Sequence, residues 1–273
     1  VSGTSTAEAG QTVTVSLNGK DYTTTVSADG SWTLNVPAAN VAALTDGSVT
    51  VTASVSDKAG NPASVDHNLT VDVTVPAVTI NTVAGDDVIN LAEHSQAHII
   101  SGTATGAAAG DKVTVTIGGQ TYTTVLDAAG NWSVGVPASV ISGLSDGSVT
   151  VRASVTDAAG NTGTGTHNVT VDTGLPSVSF NAISDDNVLN AVEKGQDLRV
   201  SGTSANLAEG TVVAVTLNGK NYTATTAADG TWSLTVPAAD LAGLGQANYT
   251  LNATATNGVG NSVSNTANLL VDT

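Results

Sequence analysis

Three copies of one tryptophan-centred motif, spaced 100 residues apart, constrain the fold of this chain more than any other feature. Trp32, Trp132 and Trp232 each follow a turn and precede a Val-Pro-Ala triplet, in the segments DGSWTLNVPA, AGNWSVGVPA and DGTWSLTVPA. A Ser-Gly-Thr triplet, a Tyr-Thr pair, a Gly-Asn pair and a final Val-Asp pair recur with them in one order. A chain that repeats in this way is an array of similar folding units.

The length of the repeat predicts units that fold singly. About 100 residues are enough to bury a hydrophobic core, so no unit needs its neighbours as a solenoid repeat does. We predict units at residues 1–73, 74–173 and 174–273. The first unit has no counterpart of the opening strand and following loop that the second unit has at Pro76 to Gln96. We therefore expect it to be an incomplete sandwich with an exposed edge.

Strict alternation of apolar and polar residues predicts β-strands throughout. In the second unit, Val113 to Ile117 alternates, Gly118-Gly119 turns, and Tyr122 to Leu126 returns. Ser148 to Thr156 is the longest alternating run. About seven strands per unit, with turn residues every 8–12 positions, indicate an all-β chain of tandem immunoglobulin-like antiparallel β-sandwiches.

The joints between units are short. The first joint is Val73-Thr74-Val75-Pro76 and the second is Thr173-Gly174-Leu175-Pro176. Four residues that end in proline cannot act as a flexible tether. With the chain entering and leaving each sandwich at opposite poles, the units are expected to lie end to end.

Composition excludes several classes of function. The chain has 7 basic and 23 acidic residues, for a net charge of −16, and such a surface repels nucleic acid and anionic membranes. No apolar run is long enough to insert in a membrane. With no Cys there are no disulfides or thiolate metal sites, and with no Met the chain is expected to be an internal or processed piece whose targeting signal lies elsewhere. We expect a monomer.

The positions of the acidic residues predict cation sites at the joints. Following the strands up and down places the loop Asp157 to Asn161 at the N-terminal pole of its unit, where the preceding unit ends in Asp72. Asp72 should therefore meet Asp157 at the first joint, and Asp172 should meet Asn257 at the second. Converging carboxylates beside backbone carbonyls are a suitable site for Ca²⁺.

A second acidic cluster, with the spacing D-D-x-x-N-x-x-E in the second unit and one residue more before the Asn in the third, is expected at the opposite pole, near Asp146. It supplies enough oxygen ligands for a partial coordination shell. The alternative is that these residues occur here only because Asp and Asn are favoured in turns. The cluster comprises Asp86, Asp87, Asn90 and Glu93 in the second unit and Asp185, Asp186, Asn190 and Glu193 in the third.

The tryptophans, histidines and serines do not indicate a binding or catalytic site. The tryptophans either stack on sugar rings or belong to the core, and their equivalent positions in every unit favour the core. No two histidines have zinc-ligand spacing, and no G-x-S-x-G elbow or Ser-His-Asp set is present. We therefore do not expect an enzyme.

The ordered set S-G-T, D-G-x-W-x-x-x-V-P-A, D-x-A-G-N and V-D-x-x-x-P resembles the bacterial Ig-like repeats of giant type I-secreted, RTX-type and Bap-like adhesins, over the whole chain. That resemblance implies a stalk segment of a secreted cell-surface protein active in adhesion and biofilm formation. It also implies Ca²⁺ at the joints, bound by Asp72, Asp157, Asp172 and the two acidic clusters. Neighbouring repeats would be the direct partners, with other parts of the parent protein contacting a host or abiotic surface.

The sequence also predicts a difference between the joints and allows an alternative function. The third unit has Asn257 where the second has Asp157, which predicts weaker calcium binding at the second joint. The alternative function is a carbohydrate- or receptor-binding module of the adhesin, which would need exposed aromatic residues that differ between units.

Overall fold

The computed structural model describes residues 1–273 and is built almost entirely from β-strands. No strand pairs with a strand of another repeat, so the strands form three separate sets, one for each unit. The first set is β1 (Ser2–Thr4), β2 (Thr12–Leu17), β3 (Lys20–Thr25), β4 (Ser31–Thr33), β5 (Gly47–Ser56) and β6 (Pro62–Val71). The second is β7 (Ala77–Ile80), β8 (Val88–Asn90), β9 (His98–Thr105), β10 (Lys112–Ile117), β11 (Gln120–Val125), β12 (Asn131–Val136), β13 (Gly147–Thr156) and β14 (Thr162–Asp172). The third is β15 (Ser177–Phe180), β16 (Val188–Leu189), β17 (Leu198–Ala205), β18 (Val212–Leu217), β19 (Lys220–Thr225), β20 (Thr231–Val236), β21 (Ala247–Thr256) and β22 (Ser262–Val271).

Helical structure is limited to single turns. The short helices α1 (Ala38–Val41), α2 (Ala138–Ile141) and α3 (Ala238–Leu241) each follow a proline, which is favourable at a helix start because its missing N–H is not needed there. Two 3₁₀ turns cover Glu93–Ser95 and Glu193–Gly195. No helix is long and apolar enough to cross a membrane.

Each of the last two units is a sandwich of a three-stranded and a five-stranded sheet. In the second unit the orders are β12-β9-β7 and β11-β10-β13-β14-β8, and the third unit repeats them as β20-β17-β15 and β19-β18-β21-β22-β16. All pairings are antiparallel except the short ones between β8 and β14 and between β16 and β22. This confirms the prediction of tandem immunoglobulin-like β-sandwiches.

The alternating side chains fill the space between the two sheets. Val113, Val115 and Ile117 point inward and are buried, as strand periodicity requires. Trp132 lies across the core and packs over Gly102, where a Cβ atom would be 2.5 Å from its ring. The three cores contain 7, 17 and 19 buried residues in chain order, so the first unit has by far the smallest core.

The second unit has eight strands and not the expected seven, because its acidic segment itself forms a strand. Val88 to Asn90 pairs in parallel with Thr170 to Asp172 at the edge of the five-stranded sheet. Ile89 between them is fully buried and supplies an apolar contact that anchors the segment. Three residues are too short a run for alternation to indicate a strand.

Ile89→Ala should destabilise the second unit by about 2–5 kcal/mol, because the substitution leaves a cavity beneath β8. The measurement is hydrogen exchange of the β13 amides, which reports the unfolding of this unit. Ile99→Ala is the matched control, since Ile99 is 71% exposed and its loss should change stability by under about 0.5 kcal/mol. Equal effects of the two substitutions would contradict this account of β8.

Candidate functional site

The D-x-A-G-N loop of the second unit is closed by hydrogen bonds of its own first and last residues. The N–H of Asp157 donates to the carbonyl of Asn161 at 3.0 Å, and Gly160 adopts a φ of 96° that lets the chain reverse. The Asp157 carboxylate accepts bonds from the N–H groups of Ala159 and Asn161 and from Asn161 Nδ2. These bonds hold the loop and its carboxylate in one orientation.

At the first joint this loop lies against the end of the first unit. Asn161 Nδ2 is 3.1 Å from the carbonyl oxygen of Asp72 and 3.0 Å from Asp157 Oδ2. Asp72 Oδ1 accepts the N–H of Thr74 at 3.1 Å, and Asp46 accepts the N–H of Val73 at 2.6 Å. Asp72 and Asp157 therefore lie at the same joint, with the amide of Asn161 in contact with both residues.

At the second joint the side chain of Asn261 makes the corresponding bond to the preceding unit and two further bonds. Its Nδ2 donates to the carbonyl of Asp172 at 2.9 Å and to that of Gly174 at 3.2 Å. Its Oδ1 accepts the N–H of Leu91, in the second unit, at 2.8 Å. Asn257 Oδ1 accepts the backbone N–H of Asn261 at 2.9 Å, so Asp172 and Asn257 both contact this buried residue.

The structure divides the acidic cluster of the second unit into two parts. Asn90 pairs with Asp172 at the C-terminal pole, where Asn90 Oδ1 accepts the N–H of Glu93 and Glu93 Oε2 accepts the N–H of Asn90. Asp87 lies further back along β14, where its Oδ1 is 2.7 Å from His167 Nε2. Asp86 caps the N–H of Val88. These contacts are of the kind expected from turn residues.

The cluster of the third unit follows the same pattern with one difference. Asp186 accepts the N–H of Val188, and Asn190 and Glu193 exchange the same pair of bonds as their counterparts. Asn187, and not an aspartate, occupies the place of Asp87 and accepts the N–H of Ile183. Asp185 adopts a left-handed φ of 61° in the turn that precedes the strand.

Asn161 and Asn261 are the residues that the sequence interpretation missed. Their Gly-Asn pairs recur at the repeat interval, which identifies them as landmarks without indicating that they contact the preceding unit.

The oxygen atoms that meet at the joints come from carboxylates, amides and carbonyls, which are the ligand types that Ca²⁺ prefers. No group of three or more His, Cys, Asp or Glu side chains is arranged to hold a metal ion.

Hydrogen bonding keeps the joint carboxylate ionised. Burial acts to raise the pKa of Asp157, but the bonds from the Asn161 side chain and from the N–H groups of the loop outweigh it and lower the pKa below the ordinary 3.8. Beside the middle of β14, the N–H of Val83 and the side chain of His167 lower the pKa of Asp87. Both groups therefore carry negative charge at neutral pH.

The three tryptophans do not present an exposed ring face. Trp32, Trp132 and Trp232 are buried in the three cores, and the ring of Trp232 meets Phe180 edge-on at 5.4 Å. Sugar recognition needs an exposed ring face, so these positions do not favour the carbohydrate-binding alternative.

The model of the bacterial Ig-like domain family matches residues 1–73 and 74–173. The chain belongs to this family. A solved structure of a Ca²⁺-stabilized adhesin with which an Antarctic bacterium binds ice is 40% identical, over 100% of this chain and 68% of that one, with a TM-score of 0.52. A structure of a 1.5-MDa bacterial ice-binding adhesin is 33% identical, over 99% and 90% of the two chains, with a TM-score of 0.54. No curated protein matches the chain.

These findings confirm the resemblance to adhesin repeats. The family match covers the first two units, and the similar structures come from bacterial adhesins. The third unit shares the motifs of the other two, including Trp232 and the Gly-Asn pair at Gly260.

Asp157→Asn should make the second unit less sensitive to acid. A carboxylate with a lowered folded-state pKa stabilises the unit above its ordinary pKa, and this contribution is lost as pH falls through the lower, folded-state value. The asparagine variant has no such proton to bind, so its loss of stability between about pH 5 and pH 2 should be smaller. Hydrogen exchange of β13 as a function of pH measures the difference.

The third unit provides the control for this experiment. Asn257 already occupies the equivalent position and accepts the N–H groups of Val259 and Asn261, so an asparagine is compatible with the loop. Asn257→Asp should make the third unit more sensitive to acid. An unchanged pH profile in both variants would show that this loop does not contribute to acid denaturation.

Proposed function

We propose that this chain is a stalk segment of a large secreted bacterial surface adhesin, in which Ig-like units at residues 1–73, 74–173 and 174–273 lie end to end. The observation that carries the proposal is the direct bonding of successive units across short joints, through Asn161 at the first and Asn261 at the second. The similarity to adhesin structures over nearly the whole chain supports it. The role is mechanical: the segment sets a distance between the cell and whatever the rest of the adhesin binds.

The fold of each unit suits such a role. The chain enters the second unit at Pro76 and leaves it at Asp172, which pairs with Asn90 at the pole opposite the Asp157 loop. Units joined in this way extend the chain by one sandwich length each. The net charge of −16 keeps neighbouring stalks apart and the protein in solution.

We further propose that Ca²⁺ binds at the joints. At the first joint Asp72 and Asp157 would supply carboxylate oxygens, and at the second Asp172 would do so with the amide oxygen of Asn257. Asn90 and Glu93 lie at the same pole as Asp172 and extend that set. Bound calcium supplies positive charge that offsets repulsion between carboxylates. Because few acidic side chains gather at one point, amide and carbonyl oxygens would supply the remaining ligands.

The two joints are proposed to depend on calcium to different degrees. Where the loop meets the end of the preceding unit, the first joint has a carboxylate on both sides, at Asp72 and Asp157, and one amide contact, from Asn161 to Asp72. The second has lost the carboxylate at Asn257 but adds the bond between Asn261 and Leu91. Calcium removal should therefore loosen the first joint more than the second.

Chelation of calcium should broaden the distance distribution between spin labels at positions 50 and 150 more than that between labels at positions 150 and 250. These three threonines are exposed on equivalent strands, and the chain has no cysteine to interfere with labelling. Pulsed electron paramagnetic resonance measures both distances in the full chain. Unchanged distributions at both joints would contradict a role for calcium in stiffening.

Asp157→Ala should remove the effect of calcium on the first joint and leave the second as it was. Calorimetric titration of Ca²⁺ into the chelated protein gives the corresponding loss of binding, with dissociation constants of about 10⁻⁴–10⁻³ M expected for an extracellular module. Asn257→Asp should strengthen binding at the second joint. Equal binding by all three proteins would locate calcium elsewhere.

A further inference from the structure

The second joint contains one of the three Asn-Gly pairs of the chain, which begin at Asn18, Asn218 and Asn257. Asparagine is a thermolabile residue, because the backbone nitrogen of the next residue can attack its side-chain amide. A following glycine has no side chain to hinder that attack. Asn257 is the one of the three that contacts a linker, since its Nδ2 donates to the carbonyl of Gly174 at 3.3 Å.

The hydrogen bonds of Asn257 orient and polarise its side-chain amide. Its Oδ1 accepts the N–H groups of Val259 at 3.2 Å and of Asn261 at 2.9 Å. The bond to Val259 closes a small ring that contains both Cγ of Asn257 and the backbone nitrogen of Gly258. The two N–H groups would also stabilise the negative charge that develops on this oxygen when a nucleophile adds to Cγ.

The backbone nitrogen of Gly258 is accessible for this attack. Gly258 is exposed, and its N–H donates to no carbonyl. A Cβ atom built there would have no neighbour within 4 Å, so the peptide between Asn257 and Gly258 has room to turn towards the side chain. The turn breaks the bond at 3.1 Å from the N–H of Gly260 to the carbonyl of Asn257.

The other two Asn-Gly pairs are held in a different conformation. Asn18 and Asn218 each begin a two-residue hairpin turn, with left-handed φ angles of 50° and 47°. The strands pair directly on both sides of each turn and resist its rearrangement. Both pairs therefore serve as internal controls for the reactivity of Asn257.

We propose that Asn257 is a deamidation site, through which the second joint gains with time the carboxylate that Asp157 supplies at the first. The Gly258 nitrogen loses its proton to a base in the solvent and bonds to Cγ of Asn257. The bond from Cγ to Nδ2 then breaks, and Nδ2 takes up a proton and leaves as ammonia. Water opens the resulting cyclic imide at Cγ to give aspartate, or at the backbone carbonyl to give isoaspartate.

The aspartate product would have the loop residue of the other two units. Asp57 and Asp157 occupy the equivalent positions, and Asp157 accepts the same two N–H bonds within its loop, so the fold accepts this residue. The new carboxylate is ionised at neutral pH and cannot donate to the carbonyl of Gly174 as the amide does. Asn261 still donates to that carbonyl at 3.2 Å, so the units stay connected.

The effect on the joint rests on the proposed binding of calcium there. Without calcium, the new carboxylate repels the carbonyl oxygen of Gly174, and the second joint loosens. With calcium, the same two oxygen atoms are ligands of the type that the ion prefers, and the joint tightens. An aged chain would therefore depend on calcium at both joints, whereas a new one depends on it chiefly at the first.

Peptide mapping by mass spectrometry tests the modification independently of calcium. The full chain is incubated in chelator at mildly alkaline pH, and conversion of each asparagine appears as a gain of about 1 Da. Asn257 should convert at least about threefold faster than Asn18 or Asn218, because its amide is already oriented and polarised. Chromatography separates the aspartate peptide from the isoaspartate peptide.

Gly258→Ala is the matched control. Ala158 occupies the equivalent position in the second unit, so the loop is compatible with alanine. Its methyl group hinders the attack, and conversion at Asn257 should fall at least about tenfold while that at Asn218 stays the same. Hydrogen exchange of β21 verifies that the third unit of this variant is folded.

Spin labels at positions 150 and 250 measure the effect on the second joint. In chelator, the aged chain should give a broader distance distribution than the fresh chain, and Asn257→Asp should give the broad distribution without ageing. Calcium should narrow the distribution in both. A joint that ageing loosens and calcium does not tighten would count against calcium at the joints and not against deamidation.

Two results would overturn the proposal. One is conversion of Asn257 that is no faster than that of Asn218. The other is isoaspartate as the sole product, since its additional backbone methylene group does not reproduce the loop residue of the other units.

Discussion

One amide side chain at each joint holds successive units together. Asn161 and Asn261 close their own loops and at the same time donate to the carbonyl oxygen of the aspartate that ends the preceding unit. The loop is held by the conformation of its glycine and by the bonds of its first residue, so the amide has a fixed position from which to reach across. The donor lies in a tight turn of its own unit. The contact with the preceding unit therefore depends on the folded conformation of that turn.

The difference between the two joints arises from a segment distant in sequence. β8 runs in parallel beside the last strand of its unit and carries Leu91 to the pole, where its N–H meets Asn261. At the first joint the bond of Asn161 to the preceding unit goes to the carbonyl of Asp72. Two joints built from one motif therefore differ in bonding.

The internal repeat, the strands and the cores follow from the sequence because each depends on local pattern. Alternation over five or more residues placed Val113 to Ile117 on one strand, and the recurrence of Trp132 at equivalent positions indicated the core. The poles at which Asp72 and Asp157 lie also follow from strand order, and their contacts with Asn161 bring them to one joint. Their binding of calcium remains a prediction.

Contacts between distant segments were decided only by the tertiary structure. Leu91 and Asn261 are separated by 170 residues, and Asp87 and His167 by 80, so no local pattern links them. The strand at Val88 has three residues, too few for periodicity to distinguish it from a loop. An Asn after a Gly fits a simple turn equally well whether or not its amide reaches a neighbour. The sequence determined the fold of each unit. The contacts between successive units were decided only by tertiary packing at the poles of the sandwiches.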